Sequence, residues 1–152
     1  MESQKILAEV LDKVPQQYPF RYIDEITYLD HIRIEGNYFL KEDLDFYKGH
    51  FPGYPITPGV ILTEIMAQIG MVAFGIYLMM LDGETSFTNM AALLTETNIK
   101  FKKQVLPEQK VFVQSEKILF RHGRLRCNVF LKNSENNLLS YGNMSGLLFI
   151  KP

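Results

Sequence analysis

The chain has 152 residues and a formal net charge of -1, and 47% of its residues are hydrophobic and 22% charged. This length suits one domain, residues 1–152, with a single hydrophobic core. The near-neutral charge argues against a general nucleic-acid-binding protein, which would need an excess of positive charge. The single cysteine, Cys127, excludes an intrachain disulfide bond and a cysteine-based zinc site.

The N-terminal segment predicts a short amphipathic helix over residues 3–14. Apolar side chains recur there at helical spacing, and Pro15 follows where the helix must end. The first residues are mostly polar or charged and lack the apolar core of a signal peptide. Together with the single cysteine, which fits a reducing compartment, this pattern predicts a cytoplasmic protein.

Two strands and a long loop are predicted next. Residues 21–29 and 32–40 are rich in β-branched and aromatic side chains, and Asp30-His31 provides a tight connection between them. Gly36 is an expected site for a bulge in the second strand. Residues 41–57 contain the glycines and prolines that are typical of a loop.

The longest predicted element is a helix that begins at Pro58 or Gly59 and ends near Leu81, before Asp82-Gly83. Its apolar run over residues 65–81 falls short of the roughly 20 residues that a membrane span requires. We therefore expect the buried central helix of a water-soluble protein without a membrane span. Because this helix has no polar face, a second subunit is expected to cover part of it, which predicts at least a dimer.

The last third of the chain predicts a sheet. Four segments are rich in Val, Ile, Phe and Leu: residues 97–103, 110–120, 124–131 and 138–150. Hairpin turns are expected at His122-Gly123 and at residues 133–137. The whole pattern predicts an α+β fold in which a large antiparallel sheet wraps around the long helix.

A glycine- and proline-rich segment places a histidine shortly before the long helix. It reads Gly49-His50-Phe51-Pro52-Gly53-Tyr54-Pro55-Ile56-Thr57-Pro58-Gly59. An isolated histidine is more often structural than catalytic, but here prolines restrict the loop and glycines allow a ligand to approach the backbone. His50 is therefore a candidate acid–base residue, since imidazole titrates near neutral pH. We expect His31 and His122 to lie on the surface.

Glu64 is the second candidate, because it lies among apolar residues in the first turns of the long helix. Burial disfavours the charged form of a carboxyl group, so Glu64 could keep a proton and act as a general acid. The alternative is an ionised residue that interacts with the helix dipole and water. Gln68, one turn later on the same face, could orient Glu64 or line the polar end of a pocket.

The start of the long helix supplies a third feature, Gly59. Its backbone N–H could stabilise negative charge on a carbonyl oxygen, and a simple proline–glycine helix start is the alternative. Lys100, Lys102 and Lys103 form a basic patch near the later strands. This patch could dock an acidic carrier protein or a phosphate group, or could belong to a solvated strand.

These residues together resemble the active-site segment of the hotdog-fold 3-hydroxyacyl-acyl-carrier-protein dehydratases. The matching motifs are His50-Phe51-Pro52-Gly53, Pro55, Pro58-Gly59-Val60, Glu64, Ala67-Gln68, Tyr18-Pro19-Phe20 and residues 98–107. The glutamate at position 64 resembles the dehydratase-only branch, since the dehydratase/isomerase branch usually has aspartate there. Gln16-Gln17 and Thr57 differ from the usual His-Arg and methionine without removing a catalytic group.

The resemblance implies a hotdog fold and a double hotdog dimer. The homodimer, alone or as one of three in a hexamer, would place His50 of one subunit opposite Glu64 of the other. His50 and Glu64 would be catalytic. The residues implied to bind substrate are Phe51, Pro58, Gly59, Val60 and Gln68.

The implied reaction is the dehydration of (3R)-3-hydroxyacyl thioesters on acyl carrier protein to trans-2-enoyl thioesters, in fatty acid, polyketide or polyene biosynthesis. His50 would remove the C2 proton, the Gly59 N–H would hold the thioester oxygen and Glu64 would protonate the departing hydroxyl. No metal or redox cofactor is expected, because acid–base chemistry suffices and the 4'-phosphopantetheine arrives with the substrate. A hotdog acyl thioesterase and a non-catalytic acyl-binding subunit are the alternative functions.

Overall fold

Helices occupy much of the first half of the chain in the computed structural model, which describes residues 2–152. They are α1 (Glu2–Lys13), α2 (Phe46–Gly49), α3 (Gly59–Ala67) and α4 (Phe74–Leu81). A π-helical segment, Gln68–Ala73, joins α3 to α4. Together they form one continuous helix, Gly59–Leu81, which we call the central helix. Its two ends confirm the sequence prediction.

Six strands form one antiparallel sheet. They are β1 (Glu25–Leu29), β2 (Arg33–Leu40), β3 (Met90–Phe101), β4 (Gln109–Arg121), β5 (Arg124–Lys132) and β6 (Leu138–Ile150). Their order in the sheet is β1-β2-β4-β5-β6-β3, so β1 and β3 are the edge strands. Buried residues alternate with less buried ones along β5, as expected for a sheet with one face on the core. The predicted α+β architecture is confirmed.

Glycines let the central helix lie close to the sheet. A Cβ atom on Gly70 would lie 2.9 Å from Ser115 Cβ, and one on Gly36 would lie 2.9 Å from Ile69 Cγ2. Since neither position has room for a methyl group, the helix can pack directly on β2 and β4. Ser115 Oγ also donates to Gly70 O at 2.8 Å, which gives a carbonyl of the π-helical segment a partner from the sheet.

Helix α1 packs against the π-helical segment, α4 and β1, and its Val10 and the following Val14 are buried. Part of the cover that is expected from a second subunit is therefore provided by the chain itself. The central helix is long and apolar enough to cross a membrane. However, 72% of its most apolar window is buried in the fold, as in the core helix of a soluble protein.

Several exposed apolar side chains lie on β3 and at the start of the central helix. Val60 is 77% exposed and Leu93 is 55% exposed, and Leu94 and Phe101 are exposed as well. Because β3 is an edge strand, one side of its backbone has no strand partner within residues 2–152. We call this surface, formed by Val60, Leu93, Leu94 and Phe101, the β3 edge.

Two segments contain more regular structure than the sequence predicts. Strand β3 begins at Met90 and ends at Phe101, whereas the predicted strand covers residues 97–103. The predicted loop over residues 41–57 contains helix α2. The turns predicted after β4 and β5 are confirmed.

The first strand is shorter than predicted. It begins at Glu25 and not at residue 21, because the Tyr22 N–H donates to the Gln68 side chain and not to a neighbouring strand. The irregularity expected at Gly36 lies in the opposite strand, since the register shift of the β1–β2 pair falls between Ile26 and Tyr28. Close packing on two sides explains why a glycine is found at position 36: a Cβ atom there would lie 2.6 Å from Glu25 O on β1 and 2.9 Å from Ile69 Cγ2 on the central helix.

Candidate active site

His50 follows directly after α2, and its ring is held by the loop that leads into the central helix. Its backbone N–H donates to Phe46 O at 2.9 Å, and its Nδ1 lies 2.9 Å from Ile56 O. A carbonyl oxygen only accepts hydrogen bonds, so Nδ1 carries the hydrogen of this contact. In the neutral imidazole the lone pair is then on Nε2, which can accept a proton from a ligand.

The loop between His50 and the central helix turns sharply. Phe51 and Gly53 have positive φ angles of 58° and 81°, and the Tyr54 N–H donates to Phe51 O at 2.8 Å. Glycine adopts such an angle without steric strain. The exposed Phe51 ring lies 4.2 Å from the His50 ring, centroid to centroid, so this predicted substrate contact is placed beside the imidazole.

Gln68 holds the carboxyl group of Glu64, one turn earlier on α3. Its Nε2 donates to Glu64 Oε1 and to Phe20 O, both at 2.9 Å, and its Oε1 accepts from the Tyr22 N–H at 2.7 Å. The two backbone contacts fix which end of the amide faces Glu64. Gln68 is 0% exposed and its amide is hydrogen-bonded to the protein, which fits an orienting role, and its contact with substrate stays a prediction.

The setting of Glu64 favours its protonated form. Burial raises the pKa of Glu64 above its ordinary value of 4.5, and the hydrogen bond from Gln68 offsets part of this rise. Gln68 bonds to Oε1, which leaves Oε2 for a proton or a ligand. Burial also raises the pKa of Tyr22, and the negative charge of Glu64 raises it further.

The raised pKa of Glu64 predicts a pH-dependent contribution to stability. The folded protein keeps this proton at pH values where the unfolded chain, with a pKa near 4.5, has lost it. Because the folded state then binds more protons, its stability falls as the pH rises through that interval. A Glu64→Gln variant should therefore gain stability relative to the parent as the pH rises from 4.5 through the raised pKa of Glu64. Urea unfolding measures this difference, and a difference independent of pH would contradict a buried carboxyl.

Within residues 2–152, the backbone N–H groups of Gly59 and Val60 in the first turn of α3 have no hydrogen-bond partner. Ile61 and Leu62 donate the first hydrogen bonds of the helix, both to Pro58 O, so the N–H groups of Gly59 and Val60 precede them. A Cβ atom on Gly59 would lie 3.2 Å from the Phe101 ring, so a larger residue would displace that ring. Pro58 is buried, and in the single chain the side chain of Val60 is exposed to solvent.

A cleft of about 390 Å³ borders Gly59. Its lining includes Thr57, Phe101, Lys102 and Lys103. Two of the three lysines predicted to dock a carrier therefore open onto the same cleft as the helix start. Lys100 is exposed on β3 and does not line this cleft.

A second cleft, of about 690 Å³, is aromatic and was not predicted from the sequence. Its central ring is Tyr22, which makes edge-to-face contacts at centroid distances of 5.1 to 6.2 Å with Phe20, Tyr38 and Phe46. Ile61, one turn before Glu64, also lines it, so the cleft extends to the Glu64 side of the central helix. The Tyr18-Pro19-Phe20 motif was the only sequence signal for this feature.

His50 and Glu64 have different hydrogen-bond partners within residues 2–152. Among the residues that the structure describes, the His50 ring contacts Ile56 O and the Glu64 carboxyl contacts Gln68. No ion pair joins the two candidates within residues 2–152. The other two histidines of the chain are exposed, as predicted.

Sequence comparisons identify relatives that cover most of the chain. The profile of the FabA-like domain matches residues 14–135. The chain is 36% identical to the 3-hydroxyacyl-acyl-carrier-protein dehydratase FabZ of Bacillus velezensis, over 68% of this chain and 70% of that protein. It is 34% identical to the protein of the same name from Bacillus subtilis, over 74% of this chain and 77% of that protein.

Structural comparisons find the same architecture in more distant proteins. The dehydratase heterocomplex ApeI:P from Xenorhabdus doucetiae matches with a TM-score of 0.78 and 13% identity, over 93% of this chain and 91% of that one. A hypothetical thioesterase from Streptococcus pneumoniae, solved with coenzyme A, matches with a TM-score of 0.60 and 12% identity, over 84% and 86%. These two matches show the hotdog fold alone. Together with the sequence relatives, the profile match shows that the chain belongs to the FabA-like family of 3-hydroxyacyl-acyl-carrier-protein dehydratases.

Proposed function

We propose that this chain removes water from 3-hydroxyacyl thioesters on acyl carrier protein and releases the trans-2-enoyl thioesters. The observation that carries the proposal is a pair of side chains whose surroundings suit proton transfer, one as a base and one as an acid. The Nδ1–H of His50 donates a hydrogen bond to Ile56 O, and Glu64 is a half-buried carboxyl group with a raised pKa. The FabZ relatives are 3-hydroxyacyl-acyl-carrier-protein dehydratases by name, which supports the choice of substrate. One base and one acid suffice for this elimination, so no metal or redox cofactor is required.

In the proposed reaction, Nε2 of His50 takes the proton from C2. The electron pair of that C–H bond forms the C2=C3 double bond, and the C3–O bond breaks. The departing oxygen takes the proton of Glu64 and leaves as water. The Gly59 N–H, at the positive end of the helix dipole, stabilises the negative charge that develops on the thioester oxygen. Proton exchange with solvent then restores both side chains.

We further propose that two subunits complete the site, with His50 of one subunit facing Glu64 of the other. Within one chain these residues have other partners. The exposed β3 edge supports the proposal, since pairing two β3 strands would satisfy their free backbone groups and cover Leu93 and Leu94. Phe101, on the same strand, lies beside Gly59, so such pairing would bring the helix start close to the second subunit.

A charge in the β3 edge should break the dimer. Leu93 is 55% exposed in the single chain, so a Leu93→Arg variant can fold but would place an unpaired charge in the interface. We expect a monomer by light scattering and a loss of activity of about 10²-fold or more. The control is Leu119→Arg, on β4, where the side chain is 60% exposed and the dimer should be kept. A fully active Leu93→Arg dimer would exclude this interface. The mass of the parent protein in solution distinguishes a dimer from a hexamer.

The two clefts suit the two ends of the substrate. We assign the phosphopantetheine arm to the cleft beside Gly59, where Lys102 and Lys103 can bind its phosphate, and the acidic carrier protein to the surface near Lys100. The acyl chain would extend along the central helix on the Glu64 side. We propose that the chain works as a single domain in the cytoplasm.

Mass spectrometry of 3-hydroxyacyl carrier proteins of several chain lengths tests the proposed activity. The expected product has lost one water molecule and keeps its acyl group on the carrier. Release of the free carrier thiol would indicate a thioesterase instead. Binding of the substrate without any reaction would indicate a non-catalytic acyl-binding subunit.

A further inference from the structure

A buried pair of hydroxyl groups lies next to the loop that carries His50. Tyr47 Oη and Thr57 Oγ1 are 2.6 Å apart, and their side chains are 5% and 3% exposed. Within the described part of the chain, each hydroxyl has the other as its hydrogen-bond partner. The Thr57 N–H also donates to Val105 O at 2.8 Å. Thr57 is therefore attached to α2 through its side chain and to the segment after β3 through its backbone.

This hydroxyl pair connects the two ends of the loop. Tyr47 lies in α2, three residues before His50, and Thr57 follows Ile56, whose carbonyl accepts the Nδ1 hydrogen. Residues 51–55 between these ends are all exposed, and the hydrogen bond from Tyr54 Oη to Gln104 Oε1, at 3.2 Å, is exposed as well, so this stretch has little buried packing to keep it in one position. The hydrogen bond between Tyr47 and Thr57 therefore helps to set the distance between the His50 ring and the Ile56 carbonyl.

We propose that Tyr47 and Thr57 are positioning residues, whose hydrogen bond keeps the Ile56 carbonyl where it selects the Nδ1–H tautomer of His50. Nε2 then remains the free, correctly aimed base. Loosening the loop allows the ring to turn and to adopt the other tautomer, in which Nε2 carries the hydrogen and cannot accept a proton. The effect on turnover rests on the proposed function, whereas the effect on the tautomer does not.

Variants at both positions test this role. Tyr47→Phe and Thr57→Val each remove one hydroxyl at nearly constant volume, the double variant removes both, and Thr57→Ser keeps the hydroxyl. Ser115→Ala is the control, because it removes another buried hydroxyl bond, to Gly70 O. Nitrogen NMR of the assigned His50 ring reports the tautomer without any substrate. Steady-state kinetics separate kcat from KM, and urea unfolding reports stability.

Each single variant should show a mixture of His50 tautomers and a kcat about tenfold lower, with little change in KM. Thr57→Ser should behave like the parent. The double variant should recover stability, because no buried hydroxyl is left unpaired, yet keep the tautomer mixture and the low kcat.

Two results would overturn the positioning role. One is a double variant that regains the tautomer and kcat of the parent. The other is a pair of single variants that lose only stability, as the Ser115→Ala control should. A shifted tautomer in a protein that never dehydrates the thioester would support the positioning role and refute the proposed function.

Discussion

Replacing His50 with alanine should lower kcat for dehydration by about 10²–10⁴-fold, the usual contribution of a general base. The proposed mechanism has no second group that can take the C2 proton, since Glu64 is needed in its protonated form. The fold should survive, because the His50 ring is only half-buried and its one hydrogen bond to the described part of the chain is to Ile56 O. Assays with a 3-hydroxyacyl carrier protein, together with light scattering, measure both effects.

The chain provides matched controls for this variant. His31 and His122 are the other histidines, and both are exposed in turns. Their alanine variants should keep the full activity of the parent. If His50→Ala turns over as fast as those two controls, another group removes the proton and the assignment of His50 is wrong.

Replacing Glu64 with glutamine should cause a loss of similar size, about 10²–10⁴-fold in kcat. Glutamine has nearly the same shape, and its side-chain oxygen can still accept the hydrogen bond from Gln68 Nε2. What it lacks is the acidic proton for the departing hydroxyl. The loss should therefore appear in kcat with little change in KM, and stability should not decrease at neutral pH.

The pH dependence of the parent enzyme adds a second test of Glu64. Burial raises the pKa of this carboxyl, and the proposed acid is active only in its protonated form. The kcat of the parent should therefore fall as the pH rises through the raised pKa of Glu64. Glu135→Gln, in the exposed turn between β5 and β6, serves as the control and should be fully active. If the Glu64→Gln variant keeps the kcat of the parent, Glu64 is not the acid of the reaction.

The secondary structure follows from the sequence where packing imposes a period. The central helix and strands β4 to β6 have apolar patterns that match their burial, and their positions were predicted within about two residues. The first half of β3 was missed because an edge strand exposed over most of its length has no alternation to detect. This half of the strand also contains Met90-Ala91-Ala92-Leu93-Leu94, which are residue types with high helix propensity.

The candidate site was predictable only as a set of residue types. The spacing of His50, Gly59 and Glu64 indicated the chemistry, because glycine, proline and an isolated carboxyl carry a local signal. The contacts that orient these groups join distant parts of the chain. Gln68 reaches backbone groups 46 and 48 residues earlier, and no local pattern reports such a contact. The same holds for the hydroxyl pair of Tyr47 and Thr57, ten residues apart across a loop.

In the proposed mechanism, each active site is built from two subunits. The inactive variants His50→Ala and Glu64→Gln test this when they are mixed under conditions that let subunits exchange. A mixed dimer then has one site with both defects and one site with neither. Random exchange makes about half of the dimers mixed, so about a quarter of the parental sites should be restored.

Activity of this mixture is the most direct measurement. A rise from the inactive level of the separate variants to about a quarter of the parent activity is the predicted result. If the mixture stays inactive although exchange of subunits is demonstrated, His50 and Glu64 do not act across a subunit boundary, and the proposed active site is wrong.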